Sequence, residues 1–99
     1  MAAVFKAISD PIRREILEDL ARQPMAVHEI AGQYLVSRPA ISRHLSIMRD
    51  AGLIDRRKAG KENVYYLNTE PLSDVRSWLD QFWVEKISKL KELAEGEAR

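Results

Sequence analysis

Two predicted helices lie so close together in the sequence that they limit the fold more than any other feature. Apolar residues at helical spacing predict a first helix from about residue 26 to Tyr34. Ser37 follows within three residues and can cap a second helix that ends at Ala51, with Gly52 as a left-handed stop. Because Pro39 biases the residue before it away from helical angles, the cap is either Ser37 or the next residue. Helices joined by so short a turn cross steeply, which predicts a helix-turn-helix.

Three further helices are predicted around this pair. Asp10 followed by Pro11 is typical of a helix start, and this helix continues to Gln23 and Pro24. Its predicted inner face carries Ile12, Ile16, Leu17 and Leu20. Its predicted solvent face carries Arg13, Arg14, Glu15, Glu18 and Asp19. A short apolar helix precedes it, and a long last helix begins at one of residues 68–70.

The periodicity changes from helical to extended after Gly52. Residues 53–58 and 63–67 are rich in β-branched and aromatic side chains and are separated by residues 59–62, which predicts a β-hairpin. A hairpin directly behind a helix-turn-helix is a wing. The fold class is therefore mainly α with a small β-hairpin, a winged helix-turn-helix, and residues 1–99 are expected to form one domain with dimerisation helices at both ends.

The charge of the chain is unevenly distributed although its net value is only +1. Residues 37–61 hold seven basic and two acidic side chains, whereas the rest of the chain is acidic overall. A basic segment within an acidic chain favours binding to a polyanion. Alternatively, these charged residues form only a solvated surface with no binding role.

The predicted second helix has the properties of a DNA-reading element. With Ile41, Leu45 and Met48 turned inward, Arg43 points outward, where an arginine can bond a guanine in the major groove. His44 lies beside the apolar row and is either structural or a phosphate contact. The predicted contacts to double-stranded DNA are Ser37, Arg38, Pro39, Ala40, Ser42, Arg43, His44, Arg56, Arg57, Lys58 and Lys61.

Catalytic, metal and membrane functions have little support in the sequence. The chain has no cysteine, its two histidines lie on different predicted helices, and no nucleophile or phosphate-loop motif is present. We therefore predict no enzyme activity, no metal site and no cofactor. The sequence also contains no recognisable signal peptide or long apolar run, so a cytoplasmic protein without membrane insertion is expected.

A small domain with a long apolar helix is expected to dimerise. A chain of 99 residues buries a modest core, and the last helix continues roughly 15 Å past its start before Phe82, at the helical rise per residue. The residues predicted to form the dimer interface are Val4, Phe5, Ile8, Leu79, Phe82, Trp83, Ile87 and Leu90. A two-fold dimer would select an inverted-repeat operator.

Four motifs in order along the chain resemble the arsenical-resistance-repressor (ArsR) family of bacterial winged-helix regulators. They are VFKAISDPIRREIL at residues 4–17, SRPAISRHL at 37–45, AGLI at 51–54 and GKENVYYL at 60–67. The resemblance implies a homodimer that binds an operator and represses transcription, with the first and last helices at the dimer interface. It places Arg38, Ala40, Ser42, Arg43 and His44 in the recognition helix, and Arg57 and Lys61 in the wing.

The chain departs from the metal-sensing members of that family. It has no cysteine, and its predicted last helix has no histidine. The opening run is similar to a metal-independent autorepressor branch found in sporulation-delaying systems, which implies release through a regulatory protein partner. Two alternatives stay open: a metal- or small-molecule-responsive repressor, and a winged helix that serves as a protein-interaction module.

Overall fold

The computed structural model describes residues 1–97 of the chain, with the side chains of all of these except residues 85 and 97. Its elements in chain order are α1 (Ala2–Ile8), α2 (Pro11–Arg22), β1 (Met25–Ala26), α3 (Val27–Ala31), α4 (Arg38–Asp50), β2 (Ile54–Ala59), β3 (Glu62–Leu67) and α5 (Glu70–Glu97). The predicted fold class, mainly helical with a hairpin behind a helix-turn-helix, is confirmed.

The strands form one antiparallel sheet in the order β1-β3-β2. β2 and β3 are the predicted hairpin, with Arg57 opposite Val64 and Ala59 opposite Glu62 at the turn. β1 was not predicted, because two residues are too few to show an alternating pattern. Met25 pairs with Tyr65, so the chain is fixed to the sheet just before α3 begins.

Helix α2 begins and ends where the sequence predicts. The carboxylate of Asp10 accepts hydrogen bonds from the backbone N–H of Ile12 at 2.8 Å and of Arg13 at 3.1 Å. These bonds, the Arg13 one foremost, lower the pKa of Asp10, because they stabilise its charged form. Pro11 occupies the first turn, where no backbone donor is needed.

One side chain of α2 departs from the predicted pattern. Arg13, predicted on the solvent face, is buried with only 9% of its surface exposed. The prediction was wrong because α1 packs over this position and supplies backbone carbonyls to the guanidinium. Helical spacing alone contains no information about where a neighbouring helix ends.

Helix α3 is shorter than predicted, since it ends at Ala31 rather than at Tyr34. Gly32 follows as the C-terminal cap, and the Tyr34 hydroxyl donates to Asp19 on α2 at 3.0 Å. Tyr34 thus belongs to the turn and packs partly against the core. The burial of its ring and this hydrogen bond raise the pKa of Tyr34.

One apolar core holds α1, α2, α3, α4 and the sheet together. Its largest fully buried side chains are Ile16, Ile30, Ile41, Leu45, Met48, Leu53 and Ile54. Helix α5 joins this core through Val75 near its start, and its large apolar residues from Trp78 onward are exposed. The molecule measures 71 × 25 × 23 Å because this 28-residue helix projects from the rest. Among residues 1–97, no helix combines the length and hydropathy needed to cross a membrane.

Candidate nucleic-acid interface

Local capping sets the position and length of α4, the predicted recognition helix. Ser37 is its N-cap, and its hydroxyl accepts from the backbone N–H of Ala40 at 3.2 Å. Pro39 lies in the first turn. At the other end Ala51 is the C-cap and Gly52 follows with φ of 75°, a left-handed angle that favours glycine. The predicted start and stop are both confirmed.

The inner row of α4 determines which of its side chains reach solvent. Ile41, Leu45 and Met48 are each at most 1% exposed, so the opposite side of the helix faces outward. The exposed residues on the helix and its cap include Ser37, Arg38, Pro39, Ser42, Arg43, Ser46 and Arg49. Ala40 and His44 are half-buried at the flanks of this surface. Arg43 thus has the outward position that groove binding requires.

The hairpin of β2 and β3 places its basic residues on two faces. Gly60, with φ of 64°, and Lys61 form the turn. Along β2, Arg57 stacks over the ring of Tyr66 with 5.8 Å between guanidinium carbon and ring centroid. Since side chains alternate along a strand, Arg56 lies on the other face, opposite the buried Tyr65. All four predicted basic residues, Arg56, Arg57, Lys58 and Lys61, are exposed.

A polar cleft of about 340 Å³ joins α4 to the hairpin. Its lining consists of Ser42, Ser46, Arg49, Asp50, Arg56 and Tyr65. Arg49 also approaches Asp55 at 3.5 Å, which partly offsets the positive charge at this point. The predicted site residues omitted Ser46 and Arg49, although their spacing from Ser42, four and seven residues, puts all three on one side of the helix.

His44 contacts Arg13, the arginine of α2 that is buried contrary to prediction. Its Nδ1 lies 3.1 Å from Nη1 of Arg13 on α2. Arg13 also donates to the carbonyls of Lys6 and Ala7, at the C-terminal end of α1. This network connects α1, α2 and α4. Helical periodicity could not have revealed it, because Arg13 and His44 are 31 residues apart.

The residues predicted for the dimer interface differ in their surroundings. Val4 is only 5% exposed and packs in the core of its own chain, so it offers little surface to a partner. Phe5 and Ile8 are half-buried against this core. The α5 residues are exposed, and their exposed fractions rise from 38% at Leu79 to 65% at Ile87. An apolar groove of about 440 Å³ lies along α5 and is lined by Leu72, Val75, Arg76, Leu79, Asp80 and Trp83.

Among the side chains that the structure describes, no cluster of three or more histidine, cysteine, aspartate or glutamate residues is suited to a metal ion. His28 on α3 pairs instead with Glu62 at the hairpin, at 3.0 Å.

Comparisons with known proteins identify relatives along most of the chain. Residues 10–56 match the family model described as "Bacterial regulatory protein, arsR family". The HTH-type transcriptional regulator Rv2034 of Mycobacterium tuberculosis is 40% identical over 94% of this chain and 87% of its own. The transcriptional repressor SdpR of Bacillus subtilis is 43% identical over 83% of this chain and 91% of its own. Among solved structures, an ArsR-like transcriptional regulator from Rhodococcus sp. RHA1 superimposes with a TM-score of 0.81 at 33% identity, over 96% of this chain and 90% of that one.

Proposed function

The chain belongs to the arsR family of bacterial regulatory proteins and is a DNA-binding transcriptional regulator, and from this premise we propose that it acts as a homodimeric repressor of its own operon. The family and the names of its relatives indicate a transcriptional regulator. In the proposal, residues 1–99 form a single winged helix-turn-helix domain that recognises an inverted-repeat operator.

One observation carries the proposal: the exposed side of α4 and the basic strand β2 line a common polar cleft. Ser42 and Ser46 from the helix and Arg56 from the strand meet there. Because an α-helix fits the major groove, we assign Arg43, at the centre of the exposed side, to base recognition. Ser37, with the free amides at the start of α4, is assigned to a backbone phosphate.

The hairpin is proposed to follow the DNA backbone beside the groove. Arg57, Lys58 and Lys61 are exposed and form no ion pair with any side chain that the structure describes, so their charges are available to phosphates. Arg56 lies nearer to α4, within the cleft. The hairpin residues supply affinity for any duplex, whereas Arg43 supplies preference for one sequence.

The proposed dimer forms through α5, with a contribution from α1. From Trp78 to Leu93, eight large apolar side chains of α5 are at least 38% exposed, which is a larger continuous apolar surface than a small monomer normally presents. A second copy related by a two-fold axis would cover Leu79, Phe82 and Trp83 with the same residues of its partner. The two recognition helices then face successive major grooves about one duplex turn apart.

The signal that releases the repressor from DNA is proposed to be a regulatory protein partner. This proposal rests on the similarity to the metal-independent branch of the family and on the absence of cysteine from the chain.

Selection from random duplex DNA tests the proposal directly. Bound sequences are expected to converge on an inverted repeat with half-sites one helical turn apart, which also occurs upstream of the protein's own gene. Sedimentation of the free protein is expected to give a dimer. A monomeric protein, or one that enriches no sequence, would overturn the homodimeric repressor.

A further inference from the structure

Arg13 is a buried cation that hydrogen-bonds to two other helices. Its Nε donates to the carbonyl of Ala7 at 2.7 Å and its Nη2 to that of Lys6 at 3.0 Å. Both carbonyls lie at the C-terminal end of α1, and that of Lys6 also accepts from the backbone N–H of Ser9 at 3.3 Å and from the Ser9 hydroxyl at 2.6 Å. The remaining nitrogen, Nη1, lies 3.1 Å from Nδ1 of His44 on α4.

This contact fixes the proton on the His44 ring. A guanidinium carries only donors, so Nδ1 of His44 must accept, and the ring proton must then lie on Nε2. The geometry therefore selects the tautomer of His44 that carries its proton on Nε2.

The Nε2–H group is available for an outside partner. No hydrogen bond within residues 1–97 involves Nε2 of His44, and no buried side-chain nitrogen or oxygen of that part of the chain lacks a partner. Nε2 is therefore in contact with solvent. Relative to the inner row of Ile41, Leu45 and Met48, His44 lies at the flank of α4, where a helix in a groove meets the groove wall and its phosphates.

We propose that Arg13 is a positioning residue for DNA binding: it holds the His44 ring with Nδ1 as the acceptor and the proton on Nε2, and Nε2 donates a hydrogen bond to a backbone phosphate oxygen. The inference rests on the proposed function, to which it adds a residue that does not itself reach DNA. A carboxylate partner would accept from Nδ1–H and leave Nε2 as an acceptor, whereas the guanidinium donates to Nδ1 and leaves Nε2–H as a donor.

The ring proton can be measured in the free protein by long-range ¹H–¹⁵N NMR of the imidazole nitrogens. The chain has two histidines, so a His28→Gln variant leaves His44 alone in the spectrum. We expect Nδ1 unprotonated and Nε2 protonated. A proton on Nδ1 would overturn the role of Arg13. This measurement requires no variant of Arg13 or His44 and no DNA.

The DNA contact is tested with two substitutions of His44. Asn places an acceptor near the Nδ1 position and removes the Nε2 donor, whereas Gln carries an amide donor near the Nε2 position. His44→Asn is expected to weaken binding roughly 2- to 10-fold per protomer on operator and unrelated duplex alike, the usual net value of one hydrogen bond. His44→Gln is expected to bind more nearly as the wild type does. Wild-type affinity in His44→Asn would overturn the contact.

Arg13→Met tests the link between the two residues, and Arg14→Met is its matched control. Arg14 donates from Nη1 to the Ile8 carbonyl at 2.8 Å, so it too bonds the end of α1, but it has no recorded bond to α4 within residues 1–97. We expect Arg13→Met to lower DNA affinity and the Arg13→Met/His44→Asn double variant to lose no more than either single one. Fully additive losses would overturn the link.

The proposal can still be tested if Arg13→Met fails to fold or if the protein binds no duplex DNA. If Arg13→Met fails to fold, as shown by circular dichroism, the NMR result and the His44 variants still decide. If the protein binds no duplex DNA, the proposed function and the phosphate contact both fail, whereas the NMR result still decides how Arg13 acts on His44.

Discussion

Removing two charges from the hairpin should change the salt dependence of DNA binding by a calculable amount. Arg57 lies on β2 and Lys61 in the turn, and both are exposed. Neither takes part in an ion pair within residues 1–97, so their full charges are available to DNA. Each phosphate neutralised by a protein cation contributes about 0.9 to the slope of log affinity against log salt concentration.

The Arg57→Ala/Lys61→Ala variant of a dimer loses four cations. If each contacts one phosphate, the slope should flatten by about 3.6. Between 50 and 200 mM salt, a fourfold change, the wild type should then lose about a hundredfold more affinity than the variant. The loss should be the same for operator and for unrelated duplex, because phosphate contacts read no sequence.

Fluorescence anisotropy of labelled duplexes over this salt range gives both slopes. An Arg22→Ala/Lys89→Ala variant, which removes equal charge from α2 and α5, is the matched control and should keep the wild-type slope. Thermal unfolding checks that loss of the Arg57–Tyr66 stacking, on the order of 0.5–1 kcal/mol, leaves the fold intact. An unchanged slope in the hairpin variant would remove the hairpin from the DNA interface.

Four further predictions concern α4, α5 and α2. Arg43→Ala should reduce the preference for operator over unrelated duplex by about 1–3 kcal/mol per protomer, and equal losses on both would identify a phosphate contact instead. Leu79→Glu/Phe82→Glu should sediment as a monomer and keep only weak nonspecific binding; a normal dimer would contradict this interface. Asp10→Ala should lower the free energy of unfolding by about 1 kcal/mol at neutral pH. Because the pKa of Asp10 is lowered on folding, that difference should disappear as pH falls below its unperturbed 3.8 and through the lower folded value, which denaturant unfolding at several pH values measures. Trp78 contacts Phe5 of α1, and α1 in turn contacts α4. Trp78→Leu should therefore reduce operator preference without removing any proposed DNA contact, as binding to operator and unrelated duplex would show. Unchanged preference would argue that α1 does not couple α5 to α4.

The parts of the fold that the sequence predicts are those determined by local rules. A helix start needs a side chain that accepts from free amides, and Asp10 and Ser37 both do so. A helix end favours a residue that tolerates a left-handed angle, and Gly52 has one. The inner row of α4 was likewise predictable, since burial on one side of a helix recurs with its period.

The parts that the sequence did not predict depend on contacts between distant elements. Arg13 is charged and occupies a position typical of a solvent face, yet it is buried because the end of α1 lies over it. Strand β1 exists because β3 passes beside Met25 and Ala26. The cleft between α4 and β2 likewise arises only when the hairpin folds back toward the helix, so Ser46 and Arg49 could be placed on the surface of α4 but not in a cleft.

Helix α1 connects the proposed dimer interface to the proposed DNA interface. It contacts α2, α4 and α5. On the α5 side, the ring of Phe5 meets Trp78 edge to face at 5.3 Å between centroids, and Trp78 meets Phe82 in the same way at 5.0 Å. On the α4 side, the last carbonyls of α1 hold Arg13, which holds His44. A proposed regulatory partner that shifts α5 would therefore act on the same short helix that packs against α4 and holds Arg13.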